Sequence, residues 1–74
     1  MKLGLLWYDN DPKKTLERKV SEAAIRYREK FGSEPNVCYV NPTQLEGQIV
    51  PPTFRFVGMK TVRPNHFWLE HEAV

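Results

Sequence analysis

The chain has 74 residues, a net charge of +2 at pH 7, 41% hydrophobic and 27% charged residues, and a single cysteine, Cys38. That length allows one domain with a small core, burying about 60% of the unfolded surface, and a lone cysteine excludes an intrachain disulfide staple. Aromatics at 12% argue against disorder, and no apolar run approaches the roughly 18 residues of a membrane-spanning helix.

The opening KLGLLWY (residues 2–8) reads as a strand. Leu3, Leu5 and Trp7 fall on one face, Leu6 and Tyr8 on the other, so both faces are apolar. This run is too short for a secretory leader. With the lone cysteine, it suggests a reducing, cytoplasmic setting. Next comes DNDPKKTLERKVSEAAIRYREKFG, the clearest element. Asp11 is placed to cap a helix and Pro12 to open it, where its missing N–H costs nothing. Leu16, Val20, Ala23, Ala24, Tyr27 and Phe31 form one apolar stripe, and Gly32 is the expected terminator. Ile25 lies opposite the stripe, on the solvent side.

NVCYV (36–40) reads as a short strand, with either Val37 and Tyr39 or Cys38 and Val40 facing inward. NPTQLEG repeats the capping grammar in miniature: Asn41 caps, Pro42 opens a helical turn and Gly47 ends it. QIVPPTFRFVGMKTV holds one or two strands. Pro51 and Pro52 confine any pairing before them to an edge, and Gly58 marks a bulge or bend. Arg63–Asn65 is a turn, and HFWLE (66–70) is the last strand. Phe67 and Leu69 point to the core, while His66, Trp68 and Glu70 share the other face. A polar tail from about residue 71 is expected to fray.

The order β-α-β-β-β over residues 1–74 predicts a single α/β (α+β) domain. It is a two-layer sandwich with one long helix on a mixed sheet of three or four strands. The strand-helix-strand start implies a parallel β-α-β unit, and the later strands should add antiparallel pairs. One helix covers one sheet face only. The other face carries Leu6, Tyr8, Tyr39, Trp68 and His66, a candidate surface for self-association. The main functional expectation is therefore a non-enzymatic interaction module, pairing as a homodimer, with no cofactor and no membrane contact.

The alternative is nucleic-acid binding. Residues 12–31 carry a net +4, leaving the rest of the chain net acidic by two. Lys14, Arg18 and Arg28 share a helical face as candidate phosphate contacts, and Lys19, Arg26 and Lys30 form a second stripe. Three glutamates interrupt this patch, and a solvated helix face is the simpler reading of it. His66 and His71 stand at odd spacing on one strand, so they cannot aim at one metal. Cys38 sits mid-strand without a neighbouring base, as a small buried hydrophobe does.

Two resemblances bear on these readings. A strand ending YD and a basic helix ending FG resemble the start of the CRISPR-associated nucleases, over about the first 32 residues. That likeness implies a third function, metal-dependent hydrolysis using Asp9. The family order also needs a second long helix, which residues 41–74 do not supply. Over most of its length the chain resembles short bacterial α/β proteins with the pattern LGLLW, RYREKFG, PNVCYVNP, PNHFWL. This resemblance implies one small α/β domain and attaches no activity, cofactor or residue role to it.

Overall fold

The computed structural model describes residues 4–48 and 54–72. Its elements are β1 (Gly4–Tyr8), α1 (Leu16–Phe31), β2 (Val37–Val40), a 3-10 turn (Pro42–Gln44), β3 (Arg55–Gly58) and β4 (His66–Glu70). One helix packs on a four-stranded mixed sheet, the predicted fold class. The QIVPPT stretch, with Pro51 and Pro52, lies mostly outside the described residues. Among the described residues no helix is long and apolar enough to cross a membrane.

The sheet order is β1-β4-β2-β3. β1 and β2 run parallel, as the strand-helix-strand order implies, but β4 lies between them and pairs antiparallel with both. The reason lies in HFWLE itself. Phe67 and Leu69 are fully buried and Trp68 is half-buried on the opposite face, the two-sided pattern of a central strand. The expected antiparallel pairing of the later strands fails at β3, which pairs parallel with β2. Residues 41–54 make this possible, because a return to the start of a parallel neighbour takes about a dozen residues or more. Gly58 makes no bulge. It pairs regularly with Val40, and a Cβ there would meet Pro42 Cγ at 3.3 Å.

The helix starts four residues later than Asp11-Pro12 suggests. Asp9 Oδ1 accepts from the Asp11 N–H (3.0 Å), and Asp11 Oδ1 accepts from the Lys13 N–H (2.9 Å). These side-chain turns satisfy the backbone locally and compete with helix formation. Thr15 then caps α1, extended at φ −74° and ψ 162°, its Oγ1 accepting from the Arg18 N–H at 3.1 Å. The other end is as predicted: Gly32 is left-handed at φ 74° and donates its N–H to the Arg28 carbonyl. Ile25 is exposed, as the stripe requires.

The core joins Leu16, Val20, Ala23, Ala24 and Tyr27 of the helix to Cys38, Val40, Phe67 and Leu69 of the sheet. Leu5, Trp7 and Phe56 flank it on the same face. Register settles the open question in β2: Cys38 pairs with Leu69 and Val40 lies beside Phe67, so these two face the helix and Tyr39 faces away. Glu72 is tied to the sheet, and the last two residues of the expected frayed tail, 73 and 74, lie outside the described residues. Glu72 and Asn36 exchange two hydrogen bonds of 2.7 and 2.9 Å.

Candidate functional site

The face opposite the helix is built by alternation along four strands. Pairing aligns Leu6, Trp68, Tyr39 and Val57 in one row across β1, β4, β2 and β3. Above that row stand Tyr8 and His66, whose rings lie 4.8 Å apart. Below it stand Gly4, Glu70, Val37 and Arg55. All five residues named as a candidate association surface, Leu6, Tyr8, Tyr39, His66 and Trp68, therefore share this face. Leu6 at 58% and Tyr8 at 56% are the most exposed large hydrophobic side chains among the described residues.

Trp68 is held in place. Its Nε1 donates to Glu70 Oε2 at 2.6 Å. The indole lies over Gly4, where a Cβ would collide with Trp68 Cζ2. Gly4 is thus a requirement of close approach, where any side chain would collide with the ring. The Tyr39 hydroxyl donates to Glu72 Oε1 at 3.4 Å, and Arg55 Nη2 bonds both oxygens of Glu72 at 2.6 and 2.7 Å. Burial, and then the Glu70 and Glu72 carboxylates, push the Tyr39 pKa up.

Residues 59–65 turn this face into a groove of about 730 Å3. Leu6, Tyr39 and Trp68 line it together with Met59, Val62 and Arg63. The loop joins the ends of β3 and β4, so it stands at the His66 end of the face, while at the Glu70 end Val37 is buried and Arg55 pairs with Glu72. Side chains fix it there: Asn41 Nδ2 donates to the Val62 carbonyl (2.9 Å), and Gln44 Oε1 accepts from the Asn65 N–H (3.2 Å). Asn65 takes the left-handed conformation, φ 67°, that lets the chain enter β4. Sequence reasoning saw residues 63–65 only as a turn and missed the wall. The one available signal was the apolar pair Met59 and Val62 inside an otherwise polar connection.

The basic helix presents a different picture. Lys14 precedes α1 rather than lying on it, and its Nζ bridges Asp9 Oδ2 (3.2 Å) and Glu22 Oε1 (2.8 Å). Arg18 pairs with Glu22 at 3.2 Å and Arg28 with Glu34 at 2.8 Å. Each of the three candidate phosphate contacts already holds an acid. Lys19, read as part of a second basic stripe, is buried.

Asp9 is committed in the same way. The Asp11 N–H and the Lys14 ammonium hold its carboxyl below the usual range, against some burial. Lys14 and Arg18 likewise lower Glu22, and Glu22 and Asp9 raise Lys14. The two histidines are separate: His66 Nδ1 lies 3.1 Å from the Pro64 carbonyl oxygen, His71 Nδ1 2.7 Å from that of Glu34. Among the described residues no group of three or more His, Cys, Asp or Glu is placed to hold a metal ion. Burial pushes the Cys38 thiol up to about 12, which suits an inert core residue and not a nucleophile.

No known protein family, curated protein or solved structure matches this chain.

Proposed function

We propose that the protein is a non-enzymatic interaction module that pairs with a second copy of itself through the outward sheet face. One observation carries this reading: the apolar row Leu6–Trp68–Tyr39–Val57 crosses all four strands on the face opposite the helix, over which no second helix or sheet packs among the described residues. Apolar surface of that kind costs free energy in water, and a second copy removes it from both chains at once. The small core gives the same direction, since domains of this length gain stability from association. Trp68 is the anchor, an aromatic fixed by Glu70 and Gly4 before any partner arrives.

Sedimentation equilibrium over a wide concentration range tests the proposal. The expected result is a concentration-dependent dimer in which Trp68→Ala weakens pairing by about 2 kcal/mol or more. Circular dichroism of the variant should stay native, because Trp68 lies outside the core cluster. A dimer indifferent to Trp68→Ala, or a monomer at all concentrations, would overturn the reading.

A further inference from the structure

The outward face is asymmetric in both charge and shape, and the two asymmetries choose the same partner geometry. Arg63 and His66 stand at one end of the face and Glu70 at the other, where Arg55 is neutralised by its pair with Glu72. Glu70 lies four residues from His66 along β4, about 13 Å at strand spacing. Among the described residues Arg63 has no ion-pair partner, and Glu70 is engaged only by the neutral indole N–H of Trp68. The loop wall also stands at the Arg63 end alone.

Resting on the self-association just proposed, we infer that the second copy docks with its strands reversed, so that Arg63 of each copy faces Glu70 of the other. The two-fold axis lies between the faces, perpendicular to the strands, and passes over the Leu6–Trp68–Tyr39–Val57 row. This operation stacks the row on its own copy and sends the basic end of one chain to the acidic end of its mate. It also carries each loop wall to the Glu70 end of the opposite face, away from the copy's own wall. The other in-plane two-fold, along the strands, brings two walls together at one end, with Arg63 near Arg63 and Glu70 near Glu70. That arrangement costs both shape and charge.

Area demands the loop as well. Four strands at about 4.8 Å and five residues at about 3.3 Å give a patch of roughly 300 Å² in projection, well short of the about 800 Å² per partner of a standard interface. The wall residues Met59, Val62 and Arg63 are the nearest described surface that adds to it.

Charge reversal tests the orientation in the full chain. Arg63→Glu and Glu70→Arg should each raise the dimer dissociation constant at least about fivefold, because the two-fold places every change in the interface twice. An equimolar mixture of the two single variants should then form a heterodimer tighter than either homodimer, since every cross-contact in it joins Glu to Arg, but short of wild-type affinity because one copy lacks the Glu70 acceptor for Trp68. If neither single variant moves the dissociation constant while Trp68→Ala does, the face is right and the reversed docking is wrong. If both singles weaken the dimer and the mixture forms no tighter heterodimer, reversed docking is again overturned. If the wild-type protein is monomeric throughout, or Trp68→Ala has no effect, the face itself fails and this inference with it.

Discussion

At the scale of single residues, Gly4 and Trp68 form one unit. The indole occupies the space a side chain at position 4 would take, and it is steered there by its bond to Glu70. A methyl group at Gly4 sits far inside contact distance of the ring. The ring is the end of a side chain on an open face, so it yields by rotating rather than by breaking the strand pair. Gly4→Ala is therefore expected to swing Trp68 out of its place, costing about 1–3 kcal/mol of stability as an overpacked site does. In a Trp7→Phe background the remaining Trp68 fluorescence should shift to the red and become more quenchable, with far-ultraviolet circular dichroism unchanged. An unaltered emission spectrum would mean that the ring does not depend on Gly4. Nothing in the sequence hints at this pair: Gly4 and Trp68 meet only because β1 and β4 are neighbours, 64 residues apart in the chain.

At the scale of elements, what could be read in advance depended on how local the cause was. Alternation in GLLWY and HFWLE assigned the faces of β1 and β4 correctly, because period two is a property of the strand alone. VCYV stayed ambiguous, since both of its residue pairs can serve a core. The choice was made by Leu69 and Phe67 on the adjacent strand. The start of the helix was misread for a related reason. Asp-Pro is the grammar of a helix cap and also of a side-chain turn, and Asp9, two residues upstream, decides for the turn. The structure thus separates two capping candidates. Thr15→Ala removes the acceptor for the Arg18 N–H and should cost about 1 kcal/mol of stability. Asp11→Ala, which loosens only an exposed turn, should cost less than half as much. Urea denaturation of both variants decides it, and the reverse ranking would restore Asp11 as the cap.

At the scale of the whole molecule, the burial of Cys38 connects the core to assembly. The thiol is fully inaccessible, lies between α1 and the sheet, and has its pKa pushed up to about 12. A thiol reagent must therefore wait for the helix to leave the sheet, which in a domain this small amounts to global unfolding. Labelling of Cys38 then reports the population of the unfolded chain when reclosing is fast. Association stabilises the folded state by mass action, since a second copy binds the folded chain and not the unfolded one. The labelling rate of the wild-type protein should accordingly fall as protein concentration rises through the dimer dissociation constant, and Trp68→Ala should move that dependence to at least about thirtyfold higher concentration without speeding labelling of the monomer severalfold. Reaction at the rate of a free thiol would contradict the burial of Cys38. A rate independent of concentration for both proteins would leave the core intact and remove the coupling between the outward face and the stability of the fold.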